Sequence, residues 1–356
     1  MTDAAIVTLT GVAFPNNAIM LLDEFCEHFV EHAEVERTGN SALLRSEEGT
    51  ASIRVEDGKM LFKIVGPTAE AVQLSCNSIA EHLFYFAGDE QFDLNWDEAA
   101  LPTALPNLHF AEVVRAEDVT PHMRRVFFSC AALSPFLDGD MHVRVLVPPQ
   151  GRDPVWPSYR PNGRIGWPEG EDALVVRPYT IRSIDKDRGE LAIDFFQHPE
   201  PGVVTPGADF ARDAVPGMRI GLLGPGSGGF PEGDDLFLAG DESGLPAIAR
   251  IIEEAPAGTR IKALIEVIDG AEEQPLPSAA TLEIVWRHRS DPKNSGPFSE
   301  AIAAALADVG PEAFVWVACE KIDIRAVRAI LKRRDHDRRK KYVAWYWERN
   351  PDGLPD

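Results

Sequence analysis

Apolar residues recur with different rhythms along the chain, and each rhythm predicts a different element. Over residues 18–33 they fall at helical spacing, with Leu21, Leu22, Phe25, Phe29 and His32 on one face. Asn16 or Asn17, just after Pro15, stands where a helix cap belongs. Two alternating segments follow, 50–55 and 59–65, joined by Glu56-Asp57-Gly58, and Asp-Gly between alternating runs is a strong hairpin signal. A second helix is expected over 68–87, ahead of a proline-containing connector from Asp97 to Asn107. Residues 1–100 therefore predict a small α/β (α+β) domain.

Beyond residue 108 the runs shorten. HFAEVVRAEDV, MRRVFFSC, MHVRVLVP, RPYTIRSI, ELAIDFFQH and RIGLLGP are β-type segments broken by Gly and Pro, which predicts an antiparallel β-barrel over 108–230. From Asp234 strands alternate with helices: DLFLAG, a helix over 245–254, IKALIEVI, LEIVWRH, a helix over 297–309, FVWVAC, a helix over 323–334, and YVAWYW. That alternation predicts an α/β domain over 234–350, a parallel sheet with helices on its faces. The expected architecture is multidomain, without internal repeats or low-complexity tracts.

Composition narrows the partners. The chain has 356 residues, more than one core usually organises, and its 35 basic against 57 acidic side chains give a net charge of −22. Such a surface repels phosphodiester backbones and anionic headgroups, so neither nucleic acid nor membrane is expected as a partner. The opening MTDAAIVTLTGVAF has no basic region ahead of an apolar stretch, and no later segment is apolar without interruption for about 18 residues. Cys26, Cys76, Cys130 and Cys319 lie far apart with no CxxC, as expected of reduced thiols in the cytoplasm.

One segment carries chemistry on its face. In Arg177-Pro178-Tyr179-Thr180-Ile181-Arg182, strand alternation puts Arg177 and Tyr179 on one side and Thr180 and Arg182 on the other. Two guanidiniums, an aromatic ring and a hydroxyl suit a dinucleotide flavin, offering forks for a pyrophosphate, a ring to stack and a hydroxyl for a ring nitrogen. The plain alternative is a solvated strand with a salt bridge. GPGSGG (Gly224 to Gly229) lacks the Gly-Lys-Ser/Thr ending of a triphosphate loop and is better explained as an interdomain turn. LAGDESGLP is not GxGxxG, but it is a strand, a tight turn and a helix start whose free N–H groups can receive a pyrophosphate.

RPYTIR resembles the RxYTxR flavin motif of the siderophore-interacting proteins, ferric-siderophore reductases of the ferredoxin reductase superfamily. Collinear likenesses follow at DFFQH, TPGADFA, the turn Gly224-Pro225-Gly226, LAGDESGLPAIARIIE, WRHR, VWVACE and WYWERN. The resemblance implies FAD on the barrel and NADPH or NADH in the following domain, with a ferric siderophore as substrate and a ferredoxin as a possible donor. It implies that Arg177, Pro178 and Arg182 hold FAD, that Tyr179 packs on it, and that Thr180 bonds near the flavin N5, so that Tyr179 and Thr180 are the catalytic positions. His198 and the backbone of Thr205, Pro206 and Gly207 match the stretch that wraps the pyrophosphate, although Thr205 stands where a glycine is usual.

By the same resemblance Asp241, Glu242, Ser243, Gly244, Pro246 and Glu320 line the nicotinamide cleft, with Cys319 in place of a usual glycine narrowing the approach. Arg287 and Arg289 either pair with an adenosine 2′-phosphate or solvate a strand end. Arg144 and Arg349 match basic positions that contact the siderophore, while Glu348 replaces an expected arginine. Trp345, Tyr346 and Trp347 cover the flavin or chelate, or close the core. Two other readings stay open in the same region: a reductase of another acceptor, such as a quinone, a flavin or a redox protein, and a non-catalytic flavin or siderophore sensor.

His28-Phe29-Val30-Glu31-His32 fits HxxEH, a zinc pattern, but nothing else supports a metal site and none is expected. The basic run KRRDHDRRKK, Lys332 to Lys341, is either a solvated helix end or a patch for an anionic partner. FCEHF, AEHLFYFA and FDLNW, with His82 and Trp96, resemble a bacterial domain family of unknown function, which implies an accessory or regulatory role for the N-terminal domain.

Overall fold

A computed structural model of the chain describes residues 6–29, 33–46, 48–88, 90–97, 102–137, 140–199, 205–226 and 228–349. It divides into two compact units, one made of residues 1–106 with 153–173, the other of 107–152 with 174–356.

The first unit opens with β1 (Val7–Ala13) and α1 (Ala18–Phe29). Asn17 caps α1, its Oδ1 accepting from the Met20 N–H at 3.3 Å. Next come β2 (Glu34–Thr38), β3 (Ser41–Ser46), β4 (Gly49–Glu56), β5 (Lys59–Gly66), α2 (Ala69–Ala87) and β6 (Leu94–Trp96). The strands form an antiparallel sheet in the order β2-β3-β4-β5-β1-β6. At the β4–β5 turn φ is +50° at Asp57 and +75° at Gly58, the paired left-handed conformation that a two-residue hairpin needs. Thr68 caps α2 by accepting from the Ala71 N–H at 3.1 Å. Leu9, Phe25, Met60, Ile64 and Leu83 pack where the inward face of the sheet meets the apolar stripes of both helices.

Of the HxxEH pattern only His28 and Phe29 fall among the described residues. Val30, Glu31 and His32 lie outside the described residues, and the His28 ring sits 4.8 Å from that of His82, beside Phe29 and Phe86. Among the described residues no group of three His, Cys, Asp or Glu is placed to hold an ion.

The second unit begins with β7 (Leu108–Thr120), β8 (Met123–Cys130) and β9 (His142–Val147). Residues 153–173, expected within the barrel stretch, pack with the first unit instead. They carry β10 (Ser158–Tyr159) and β11 (Ile165–Gly166). Their turn is held by backbone acceptors: the Asn162 carbonyl takes the Trp96 indole N–H at 3.0 Å and the Gly163 carbonyl takes the Asn77 amide at 3.0 Å. Glu81 accepts from the Ile165 N–H and the Arg164 guanidinium, each at 3.0 Å. Gly163 has φ of +85°, and a Cβ there would fall 2.7 Å from Cys76 Sγ, so the approach requires glycine.

The barrel continues with β12 (Val175–Asp185), β13 (Glu190–Phe196), α3 (Pro206–Asp213) and β14 (Arg219–Leu223), and closes in the order β12-β13-β8-β7-β14-β9. Val126, Phe128, Ile193, Phe195 and Leu222 fill it. The parallel sheet follows as β15 (Asp235–Gly240), α4 (Leu245–Glu254), β16 (Arg260–Val267), β17 (Thr281–His288), α5 (Phe298–Leu306), β18 (Phe314–Glu320), α6 (Lys321–Arg333) and β19 (Lys341–Trp347). Its order, β17-β16-β15-β18-β19, runs outward from β15 and then restarts on the other side at β18. That reversal opens a crevice beyond the carboxyl ends of β15 and β18, where open sheets of this kind receive ligands. Barrel and sheet are joined through buried Glu272, which accepts from Thr120 Oγ1 at 2.5 Å and lies 2.6 Å from His122 Nδ1.

Candidate functional site

RPYTIR lies on β12, whose neighbour β9 sets Val145 opposite Arg177, Arg144 opposite Pro178, Val143 opposite Tyr179 and His142 opposite Thr180. Alternation turns Tyr179 and Ile181 toward the barrel interior, where the Tyr179 ring lies 4.4 Å from that of Phe195. Burial raises the Tyr179 phenol above its ordinary range, so it stays a hydrogen-bond donor. Gly207 makes room for it, because a Cβ there would fall 2.0 Å from the Tyr179 hydroxyl. That glycine opens α3 behind Pro206, and the capping position, Thr205, makes no side-chain cap. Pro206 has no N–H and that of Asp209 is taken by the Thr205 carbonyl, which leaves those of Gly207 and Ala208 for another acceptor beside Tyr179. The stretch just before carries His198, its ring 6.5 Å from that of Phe196.

The remaining members of the motif occupy different surroundings. Arg177 is exposed, and its one hydrogen bond among the described residues goes to the Val176 carbonyl at 3.0 Å. Thr180 is 4% exposed. Arg182, also 4% exposed, is gripped by Glu253 of α4 through two bonds of 2.6 and 2.5 Å. The two arginines expected together on a pyrophosphate therefore differ: one is open to solvent, the other is already bound.

At the sheet's switch point the turn after β15 rides on β18. A Cβ at Gly240 or Gly244 would fall 2.7 or 2.5 Å from the Ala318 carbonyl, so both glycines are required for that approach. Asp241 is buried there, with Oδ1 accepting from the Ser243 N–H at 2.9 Å and hydroxyl at 2.5 Å, and Oδ2 from the Trp347 indole at 2.7 Å. Burial pushes the Asp241 carboxyl up, against the opposing pull of Ser243 and Trp347. Pro246 fills the first turn of α4. Glu320, at the end of β18, caps α6 by accepting from the Ile322 N–H at 2.6 Å and faces the Arg349 N–H at 3.4 Å.

Arg287 and Arg289 do not stand free at the end of β17. Arg287 is buried against Glu266 and donates to the Asn294 and Gly296 carbonyls, both at 2.6 Å, tying down the loop before α5. Arg289 forks onto Glu242, one bond at 2.9 Å, with Glu266 3.6 Å away. Burial raises the Glu242 carboxyl while Arg289 opposes the rise. Cys319, expected to narrow the approach, packs instead into the core between sheet and α6 with Ala239, Val317 and Ile324, and burial raises its thiol.

Arg144 and Arg349, expected to contact an anionic substrate, are both exposed. Arg144 on β9 forms no ion pair among the described residues, and the Arg349 guanidinium lies 5.7 Å from the Trp347 ring. Glu348 pairs with Lys321 at 2.6 Å. Trp345 is exposed beneath the Lys321 ammonium, whereas Tyr346 turns inward with its hydroxyl 2.6 Å from His142 Nε2. Sequence reasoning passed over His142, Arg250 and Glu253. The last two lay in plain view at helical spacing within LAGDESGLPAIARIIE, but nothing local shows that the face they form meets β12.

Comparison with known proteins gives each stretch of the chain a family likeness. The family model described as the siderophore-interacting FAD-binding domain matches residues 112–229, that of the siderophore-interacting protein matches 233–350, and an uncharacterized protein conserved in bacteria (DUF2218) matches 12–97. The ferric vibriobactin reductase ViuB of Vibrio cholerae is 31% identical over 245 residues, covering 67% of this chain and 88% of that protein. The crystal structure of a siderophore utilization protein from T. fusca is 31% identical with a TM-score of 0.55, covering 69% of this chain and 95% of the other. The siderophore-interacting protein SipS from Aeromonas hydrophila shares the fold at 24% identity and a TM-score of 0.56, covering 69% of this chain and 93% of its own.

Proposed function

The chain belongs to the siderophore-interacting protein family, and from that premise we propose that its second unit is an NAD(P)H-dependent ferric-siderophore reductase working through FAD. The observation that carries this reading is the junction of β12 with the sheet's switch point: Thr180 and Tyr179 sit on the strand to which α4, the helix leading from the Asp241–Gly244 turn, is bonded.

The residues present fit the flavin dinucleotide. Arg177 is a free fork for a phosphate, α3 opens with uncapped N–H groups, and Gly207 keeps Tyr179 hard against that helix start. Pro178 fixes the backbone next to Tyr179, and His198 lies upstream of Thr205, Pro206 and Gly207 at the start of α3. FAD, when bound, supplies the conversion of a two-electron hydride from NAD(P)H into single electrons for chelated Fe(III).

Around that chemistry the chain's own groups bind and orient. Thr180, buried opposite His142, serves the flavin ring near N5. Asp241, Glu242, Ser243 and Gly244 shape the nicotinamide crevice, while Glu320 holds its far wall by capping α6. Arg144 and Arg349 attract an anionic iron chelate to a chain whose net charge of −22 would otherwise repel it. The ferric ion is substrate: hard oxygen donors hold Fe(III) more firmly than Fe(II), so its reduction loosens the chelate.

The test is stopped-flow reduction of the purified, FAD-loaded chain by NADPH and by NADH under anaerobic conditions, followed by ferric chelates with a ferrous trap. Bleaching of the flavin by either nicotinamide and its reoxidation by a ferric siderophore are the expected result. Reoxidation by a quinone but not by any ferric chelate would replace the acceptor, and a flavin left oxidised by both nicotinamides would remove the donor.

A further inference from the structure

We infer that Arg182 is a positioning residue, which with Glu253 and Arg250 clamps α4 to the flavin strand and so fixes the Asp241–Gly244 turn relative to Thr180. The inference rests on FAD binding to the barrel and departs from the expectation that Arg182 holds a flavin phosphate.

The geometry assigns every charge in the clamp. Behind Arg182, Asp194 on β13 takes a two-pronged bond from Arg125 on β8 at 2.6 and 2.8 Å, and faces Arg182 Nε at 3.8 Å. In front, Glu253 takes both terminal nitrogens of Arg182. One turn earlier on α4, buried Arg250 donates to the Ile181 carbonyl at 2.9 Å and to Glu254 at 2.8 Å. Arg125, Arg182 and Arg250 are matched by Asp194, Glu253 and Glu254, leaving no positive charge over. A phosphate seeking Arg182 would have to displace Glu253 and reach an almost fully buried guanidinium, whereas Arg177 five residues away is exposed and unpaired.

The placement gives the clamp its consequence. Ile181 and Arg182 directly follow Thr180, and Arg250 and Glu253 lie in the last turns of a helix whose first turn is built on Gly244, Leu245 and Pro246. A helix is a stiff rod at this length, so holding one end to β12 sets the position of the other. Paired forks fix an angle as well as a distance, which a single hydrogen bond does not. Hydride transfer depends on placement to within about an ångström, and a shift of that size costs about a hundredfold in rate.

The experiment compares Arg177→Gln, Arg182→Gln, Glu253→Gln and the double variant Arg182→Gln/Glu253→Gln in the full chain. Flavin fluorescence titration of the stripped protein gives FAD affinity. The long-wavelength charge-transfer band formed on mixing with nicotinamide reports ring-to-ring placement, and stopped flow gives the rate of flavin reduction. Arg177→Gln is expected to weaken FAD by about tenfold or more, as loss of a charge-assisted bond does. Arg182→Gln and Glu253→Gln should leave FAD affinity within about twofold, abolish the band and slow reduction about a hundredfold, with the double variant no worse than either.

Glu253 is partly exposed and glutamine matches its shape, so that variant carries the test if Arg182→Gln does not fold. Weakening of FAD by tenfold in Arg182→Gln but not in Glu253→Gln would return Arg182 to the phosphate and overturn the clamp. Unchanged band and rate in both variants would overturn it equally. A parent chain that binds no FAD sinks the underlying reading instead, before any variant is compared.

Discussion

The two units of this chain treat charge in opposite ways. Among the described residues the first unit buries a single polar side chain, Gln73, while the second buries three arginines and six carboxylates. Removing an ion from water costs several kcal/mol unless partners replace the water, and even a well-made buried pair adds little net stability. An interior that keeps so many of them is therefore not built for stability alone. Its ion pairs specify angles and distances between barrel and sheet, whereas the first unit needs only shape to close its core. The contrast separates the part of the molecule that must hold a geometry from the part that must merely fold.

The comparison is most exposed at Asp194, which sits between Arg125 and Arg182. Asp194→Ala leaves two guanidiniums with a shared partner removed, and about 3–5 kcal/mol of stability should go with it. Urea unfolding followed by bound-flavin fluorescence reads the second unit directly. A loss under about 1 kcal/mol would mean the network is solvated and carries no geometric load.

His142 gives a smaller effect with a defined pH window. Burial lowers its pKa to about 4, helped by Arg250 and opposed by Asp140, so the ring is neutral in its hydrogen bond with the Tyr346 hydroxyl. Because the unfolded imidazole titrates near about 6.5, the unfolded chain takes up the proton first as pH falls. Stability from this group is complete above about 6.5 and lost progressively toward about 4, in all by about 3 kcal/mol. His142→Gln should flatten that part of the urea midpoint against pH, and superimposable slopes for parent and variant would refute the assignment.

The sequence was most legible where function repeats a local pattern. The Asp57-Gly58 turn, the cap at Asn17 and the strand-helix alternation after Asp234 all follow from residues close to one another. What escaped was non-local or disguised. β2, read EVERT, is an edge strand too charged to show an apolar rhythm, and α3 is eight residues of TPGADFA-type sequence starting at a proline. Residues 153–173 join the first unit through backbone carbonyls of Asn162 and Gly163, which no side-chain pattern encodes. At the site, RPYTIR marked the strand proposed for the flavin, but alternation alone could not tell that Arg182 meets Glu253 while Arg177 is exposed.

A similar ambiguity governs the crevice proposed for the nicotinamide and supplies a subtler test. Arg289 is neutralised by Glu242 and Arg287 by Glu266, so neither is poised for a 2′-phosphate. Glu242→Gln removes the charge that holds Arg289 and should raise binding of NADP⁺ relative to NAD⁺ by about tenfold, the value of one charge-assisted bond. Titration calorimetry with the two oxidised nucleotides reads this without turnover. An unchanged ratio would show that Arg289 lies off the path of the adenosine.

The least effect should come from the buried amide of the first unit, Gln73. Gln73 lies on α2 at 4% exposure, within the core formed with Val72, Cys76 and Ile79. If that unit is held by shape alone, Gln73→Leu replaces an amide by a hydrocarbon of similar volume and costs less than about 1 kcal/mol, because an apolar swap in a dry core leaves few groups unpaired. Asp194→Ala, by contrast, strands Arg125 and takes from Arg182 one of its two carboxylate neighbours. Thermal unfolding of both variants in the full chain sets the two interiors side by side: equal penalties would mean that the amide of Gln73 holds a polar geometry of its own, and that the first unit too is organised around something other than its packing.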